Sequence, residues 1–228
     1  LLQELAMALE APEDRIQDAF LEAIWAGEPL GFSIIGTKKN LIHISRSQLE
    51  NHFKQYYHPE NMVISVAGSV EFDALVAGCQ KYFTFPKTQE ALPLRPVKSH
   101  FKPKKKNLTD DTEQLHLIVG FDAPSLKESH RFEAVVLGFF LGGGMSSKLF
   151  QEIREKAGLA YTVDCDYIPY TESGLMNIYV AMAERGLSQC LKILQTELAK
   201  LKDTLIDPKG LKLVKGQLRG MSLLSSDQ

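Results

Sequence analysis

The fold is decided by residues 141–182, which read LGGGMSSKLFQEIREKAGLAYTVDCDYIPYTESGLMNIYVAM. The segment SKLFQEIREKAG has the pattern of a helix, and Gly158 is placed to end it. Beyond that glycine, YTVDCDYIPY and GLMNIYVAM alternate between apolar and polar residues, as antiparallel strands do, and TESG supplies a turn between them. The stretch therefore predicts a helix that leads into a β-hairpin.

The residues on either side of this stretch extend the same pattern. Upstream, PKKKNLT and QLHLIVGFDAP are candidate strands, and HRFEAVVLGFFLGGG is an apolar helix that ends in glycines. Downstream, GLSQCLKILQTELAKLK and DPKGLKLVKGQLRGMSLL have helical spacing. We therefore expect a small antiparallel sheet with several helices packed against it.

The first third of the chain predicts a related unit. Residues 1–26 have helical spacing that is interrupted near Pro12. A strand, NMVISVAGSV, then leads into a helix, and this order at residues 61–84 is repeated at residues 175–202. The sequence thus predicts an α+β fold with two related lobes, each an antiparallel sheet covered by helices on one face.

The boundary between the lobes is indicated by a change in composition. Between Phe85 and Lys106, four prolines interrupt regular structure and the run KPKKK adds positive charge. We therefore predict a first domain over residues 1–85, a linker over residues 86–106 and a second domain over residues 107–228.

The composition excludes several classes of protein. The 228 residues are 44% hydrophobic and 24% charged, with a formal net charge of -2, which points neither to nucleic acid nor to an anionic membrane. No apolar run reaches the roughly 18 residues that a membrane span needs. The three cysteines lack C-x-x-C spacing, so neither a disulfide framework nor a thiolate zinc site is predicted. An odd number of cysteines favours a reducing compartment. This favours a cytoplasmic location, with a periplasmic location as the alternative.

Three local motifs have simpler interpretations than the ligand sites that they suggest. LGGGMSSK lacks the spacing of a phosphate-binding loop and follows a helix, so a nucleotide-binding module is not favoured. The run KPKKK has no interleaved aromatic residues and is typical of a solvated linker or a charged edge strand. His130 and Glu133 are followed by Ala134 where an inverted zinc motif requires a second histidine.

Four segments in order along the chain carry a resemblance to a known family. They are LLQELAM, GEPLGFSIIGT, YYHPENMVISVAGSV and residues 141–181. Together they resemble the inverted-zinc-motif metallopeptidases of the pitrilysin and insulinase family, in particular bacterial homologues of the mitochondrial processing peptidase. The resemblance implies a zinc-dependent endopeptidase that cleaves peptides or extended polypeptides held between two lobes. It also implies a homodimer or a paired subunit.

The resemblance assigns roles to individual residues. LLQELAM resembles the helix that carries a carboxylate ligand to zinc, and zinc takes such an oxygen readily. REKAGLAY resembles the segment whose arginine and tyrosine project toward the bound peptide, where a phenol O–H can stabilise an oxyanion. The residues implied are Glu4 as a metal ligand, Arg154 and Tyr161 as catalytic residues, and Gly142, Gly143 and Gly144 as substrate-binding residues.

One departure from the family pattern bears on activity. The His-x-x-Glu-His helix, with two zinc ligands and the general base, is absent from these residues. We therefore expect an internal fragment of a longer zinc peptidase, inactive alone and unable to retain the single zinc ion. The alternative is a noncatalytic subunit of the same fold that acts in substrate recognition or complex assembly. The presence of both LLQEL and REKAGLAY favours the enzyme.

Overall fold

The computed structural model describes residues 2–84 and 97–226, and the chain divides into two compact units. One unit comprises residues 1–36 and 96–228, and the other comprises residues 37–95. The first unit combines an antiparallel sheet with helices, so the predicted α+β class is confirmed. Among the described residues, the helices are too short or too polar to cross a membrane.

The sheet of the first unit has three strands. They are β1 (Leu115–Asp122), β2 (Ala160–Pro169) and β3 (Gly174–Met182), and the order β1-β3-β2 places β3 in the centre. Both pairings are antiparallel, and every residue of β3 is buried. The predicted hairpin of β2 and β3 is therefore confirmed.

Three helical segments cover one face of this sheet. They are α6 (Arg131–Gly142), a π-helix (Phe150–Lys156) and α7 (Leu187–Asp203), and α8 (Pro208–Ser226) packs against α6. The side chains alternate along the strands, so that one set from each strand points into this layer. The buried members of the resulting core include Leu141, Leu149, Ile153, Val163, Cys165, Ile178, Val180, Met182, Cys190 and Leu194.

The other face of the sheet also carries a helix, which corrects the prediction that helices cover one face. Residues 1–26 form α1 (Leu2–Glu10) and α2 (Pro12–Ile24), with the break at the predicted proline. The glycine at position 120 of β1 leaves room for the ring of Phe20, because a Cβ at Gly120 would lie 2.2 Å from it. At the end of α2, Trp25 meets Tyr170 edge to face, with 5.3 Å between the ring centres.

The charged segment after residue 97 lies alongside α2 and forms no strand. The predicted strand PKKKNLT is therefore wrong. The backbone N–H of Lys102 donates to the carbonyl of Ile24 at 2.8 Å, and Lys106 pairs with Glu22 at 2.6 Å. Further along, Asp110 pairs with Arg15. Two residues of KPKKK thus contact α2, Lys102 through its backbone N–H and Lys106 through its side chain.

The two units divide the chain differently from the predicted domains. Residues 1–36 pack with the sheet of the second predicted domain, and residues 97–106 of the predicted linker belong to the same unit. The physical reason is the apolar side of α2, which is buried on β1 and β3. Residues 85–95 of the boundary region, together with Pro96, lie outside the described residues. As domains of a longer protein, 1–85 and 107–228 stay a prediction.

The second unit contains helices and no strand among its described residues. Its helices are α3 (Lys38–Leu41), α4 (Arg46–Tyr56) and α5 (Phe72–Tyr82). A capping box begins α4: the N–H of Gln48 donates to the Ser45 hydroxyl at 3.2 Å, and the Ser45 N–H donates back to the Gln48 side chain.

The predicted strand at residues 61–70 is wrong for this structure, and the second lobe has no sheet among its described residues. Residues 62–67 adopt no ladder, and Val63 is 95% exposed. A strand is defined by hydrogen bonds to a neighbour, and the described residues offer none to this segment. No side chain in residues 37–84 is buried. The apolar side chains of this segment therefore have no partner strand to pack with among the described residues.

Candidate functional site

Arg154 lies on the π-helix, with its side chain exposed. Its guanidinium carbon is 4.9 Å from the centre of the Phe150 ring, a cation–π contact that holds the side chain along the helix surface. The preceding residue, Ile153, is completely buried and fixes the opposite side of the helix. π-helical turns are rare and frequently occur at functional sites.

Gly158 ends this helix and directs the chain into β2. Its N–H donates to the Arg154 carbonyl at 3.0 Å, and the N–H of Leu159 donates to the Ile153 carbonyl at 3.0 Å. The φ of Gly158 is +62°, in the left-handed region that glycine enters without steric cost. The predicted helix stop at Gly158 is therefore confirmed.

Tyr161 occupies a β-bulge at the start of β2. Ala160 pairs with Met182 and Thr162 pairs with Ala181, so Tyr161 is an extra residue without a partner on β3. Bulges re-aim a side chain and are over-represented next to active sites. The Tyr161 side chain is 59% exposed, which leaves its phenol accessible. The fold thus presents two exposed hydrogen-bond donors, Arg154 and Tyr161, on adjoining elements on either side of Gly158.

The three glycines of LGGG differ in their surroundings. A Cβ at Gly142 would lie 2.1 Å from the backbone nitrogen of Cys165, and one at Gly143 would lie 2.5 Å from the Phe139 ring. Gly144 has open space around it. Close packing is thus a sufficient reason for the first two glycines, and a contact of this segment with substrate stays a prediction.

Glu4 lies on α1, which packs against α2, and its side chain is exposed. Among the described residues, no group of three or more His, Cys, Asp or Glu side chains is placed to hold a metal ion. The described part of the chain therefore does not fit a zinc ion by itself, because a protein zinc site takes at least three protein ligands.

His116, Cys165 and Cys190 have structural environments. The Nδ1 atom of His116 is 2.7 Å from the Tyr179 hydroxyl, in a contact between β1 and β3. Burial raises the pKa of the Cys165 thiol to about 12 and that of the Cys190 thiol to about 11, so both stay protonated at neutral pH. His130 begins α6, as the sequence predicts for this segment.

A charged cluster flanks the π-helix on the side of α7, and the sequence analysis did not identify it. Hydrogen bonds from Lys156 and then Lys148 lower the pKa of Glu152 to about 2. The Glu152 side chain is in turn the main cause that raises the pKa of Lys148. The spacing of these three residues by four is visible in the sequence as a helical ion-pair pattern. Glu197 has a local partner in Lys200, three positions on, but its contact with Lys148 gives no signal because the two residues are 49 positions apart.

Comparisons with known proteins agree with this fold. Residues 43–218 match the model of the family described as "Peptidase M16 inactive domain". The chain is 34% identical over 224 residues to the uncharacterized zinc protease YmxG of Bacillus subtilis, covering 98% of this chain and 54% of that protein. It is 33% identical to the uncharacterized zinc protease Rv2782c of Mycobacterium tuberculosis, covering 96% of this chain and 51% of that protein.

Solved structures share the fold at lower sequence identity. A peptidase M16 inactive domain from Pseudomonas fluorescens superposes with a TM-score of 0.85 at 22% identity, over 96% of this chain and 53% of that one. A chain of complex III2 from Candida albicans gives a TM-score of 0.82 at 14% identity, over 97% of this chain and 54% of that one.

This α+β unit, matched over nearly its whole length by proteins named zinc proteases, has a zinc-protease-like fold. The chain belongs to the peptidase M16 family. It spans about half the length of the curated relatives that it matches.

Proposed function

We propose that this chain supplies the substrate-contacting half of a zinc-dependent endopeptidase, with Arg154 and Tyr161 as the residues that bind the reacting peptide. The observation that carries the proposal is their placement: both are exposed, and each lies on a local irregularity of the backbone, on either side of Gly158. The relatives are named zinc proteases, and this supports the proposed reaction class.

The chemistry of the two side chains suits a peptide substrate. The guanidinium of Arg154 offers several donors in a fixed plane, which suits the carbonyl groups of an extended main chain. The hydroxyl of Tyr161 can donate to the scissile carbonyl, whose oxygen becomes negative as the bond is attacked. A donor that strengthens its hydrogen bond as this charge develops lowers the barrier, since the bond is stronger in the transition state than in the bound substrate.

The substrate is proposed to be an extended peptide or polypeptide held between two lobes. An extended chain can add its main chain as a strand to an exposed sheet edge, and such pairing reads backbone more than side chains. The proposal further includes one zinc ion in the longer protein, with Glu4 as one ligand and the remaining ligands outside the described residues. The longer protein is proposed to act as a homodimer or with a paired subunit.

The alternative is a noncatalytic subunit that binds polypeptide or assembles with a partner. The observation in its favour is that the matching family model describes an inactive domain. Both proposals use the same fold, so the distinction rests on hydrolysis.

Metal removal separates the two proposals. The natural full-length protein is incubated with a quenched fluorescent peptide, with and without a zinc chelator, and the initial rate is measured. We expect hydrolysis that the chelator abolishes and that added zinc restores, because the proposed reaction depends on the metal. A protein that binds the peptide, with no hydrolysis before or after zinc addition, would instead be the noncatalytic subunit.

A further inference from the structure

A network of lysines and glutamates joins the π-helix to α7. The Nζ atom of Lys148 lies 2.9 Å from Oε1 of Glu152 and 3.2 Å from Oε2 of Glu197. Lys156 reaches the same oxygen of Glu152 at 2.8 Å, and Lys200 reaches Oε1 of Glu197 at 2.6 Å. Lys148 therefore contacts carboxylates from two different helical elements, whereas Lys156 contacts the one on its own helix.

The carboxylate of Glu197 is the buried end of this network. Its side chain is 7% exposed; Oε1 accepts a hydrogen bond from Lys200, and Oε2 forms an ion pair with Lys148. A buried carboxylate that loses a cationic partner is strongly destabilised, so Lys148 and Glu197 hold each other in place. Lys200 comes from α7 itself and cannot tie that helix to another element. The contact with Lys148 is therefore the part of the network that spans two elements.

This contact acts on the helix that presents Arg154. The apolar side of that helix is anchored by Leu149 and Ile153, both completely buried. Apolar packing fixes how closely a helix approaches the core. Because it is not directional, it resists sliding and rotation of the helix less than a directional ion pair does. A directional ion pair at Lys148, next to Leu149, adds a second anchor at the N-terminal end of the segment. Rotation of the segment about its axis would move Arg154, together with the Phe150 ring on the same helix, relative to β2 and Tyr161.

We propose that Lys148 and Glu197 are positioning residues for Arg154, which they hold in place by fixing the π-helix against α7. The proposal rests on the proposed function, because Arg154 is there the residue that binds the peptide. It adds a residue pair that neither touches substrate nor belongs to the REKAGLAY segment. Lys148 is paired with two carboxylates, so its own side chain is occupied.

The test compares Lys148→Met with Lys156→Met in the natural full-length protein. Both substitutions remove a lysine from Glu152, and the first also removes the contact with α7. We expect Lys148→Met to lower kcat/KM for a quenched peptide about tenfold, because small misplacements of a substrate-binding group are costly. Lys156→Met is expected to change it less than twofold, and Lys148→Arg to restore most of the loss.

A double-mutant cycle separates positioning from general destabilisation. In an Arg154→Ala background, Lys148→Met is expected to lower kcat/KM less than twofold, since the residue that it positions is gone. An undiminished tenfold loss in that background would overturn the proposal. So would equal effects of the Lys148 and Lys156 substitutions.

Hydrogen exchange keeps the proposal testable if the protein proves not to hydrolyse peptides, an outcome that would contradict the proposed function alone. The N–H groups of Gly158 and Leu159 donate to the Arg154 and Ile153 carbonyls, so their exchange reports on the end of the π-helix. Lys148→Met is expected to speed their exchange at least tenfold, and Lys156→Met to leave it within twofold. Unchanged exchange in Lys148→Met would overturn the positioning role.

Discussion

Replacing Gly142 by alanine is expected to lower the free energy of unfolding by about 3 kcal/mol or more, at the upper end of the cost of overpacking. The added Cβ would lie 2.1 Å from the backbone nitrogen of Cys165 and 2.5 Å from its Cβ. These atoms belong to β2, which is hydrogen-bonded along its length to β3, so they have little freedom to move. The substitution therefore forces α6 away from the sheet that it covers.

Gly138→Ala in the same helix is the matched control. A Cβ at Gly138 would meet the Tyr167 Cβ at 3.5 Å, an ordinary contact distance. Because alanine favours the helix over glycine by up to about 1 kcal/mol, we expect this variant to be as stable as the natural protein or slightly more so. Urea unfolding of the two full-length variants, followed by circular dichroism, measures both effects. Equal stabilities of the two variants would contradict the close packing of α6 on β2.

Replacing Tyr161 by phenylalanine is expected to lower kcat for peptide hydrolysis by about 10²–10³-fold, as removal of one oxyanion donor does in other hydrolases. The ring is kept, so the bulge and the backbone should be unaffected. An interaction that forms chiefly in the transition state changes kcat and kcat/KM together, and KM is expected to stay within about threefold. Steady-state kinetics of the full-length protein measure both constants.

Tyr82→Phe is the control for this substitution. Tyr82 ends α5 and is 74% exposed, so it loses the same hydroxyl from an accessible position on a different element. Its kcat is expected to match that of the unsubstituted protein. A Tyr161→Phe variant with unchanged kcat would remove Tyr161 from the proposed reaction, and a loss only in KM would make it a binding residue.

Much of the first unit could be predicted because its signals are local. Helical periodicity and the proline at position 12 located α1 and α2, and alternation with a turn located the β2–β3 hairpin. The position of Arg154 and Tyr161 at the junction of a helix and a strand followed from Gly158. These features depend on residues within a few positions of one another.

The features that could not be predicted depend on partners distant in sequence. The apolar run at residues 61–70 has strand composition, yet the described residues provide no neighbour to pair with it. Lys102 and Lys106 of KPKKK look solvated until α2, about eighty positions earlier, supplies the Ile24 carbonyl and the Glu22 carboxylate. Similarly, the second face of the sheet is covered by α2 because the glycine at position 120 admits the Phe20 ring.

The irregular geometry of the site also escaped prediction. A π-helix has a wider turn than an α-helix, but the seven residues FQEIREK are too few for their apolar spacing to distinguish the two. The bulge at Tyr161 depends on the register between β2 and β3, which a single strand cannot specify. The candidate residues could thus be named from the sequence, whereas the backbone that presents them could not.

Zinc content tests the central claim most directly, that this chain is part of a zinc peptidase and carries one of its ligands. The natural full-length protein and its Glu4→Gln and Glu10→Gln variants are dialysed against trace zinc, and bound zinc per molecule is measured. Both residues lie on α1 with exposed side chains, so Glu10→Gln removes an equivalent charge without removing the proposed ligand. We predict about one zinc in the natural protein and in Glu10→Gln, and at least tenfold weaker binding in Glu4→Gln, because zinc would keep two of three protein ligands. Zinc binding that is equal in all three proteins, or absent from all three, would contradict the account.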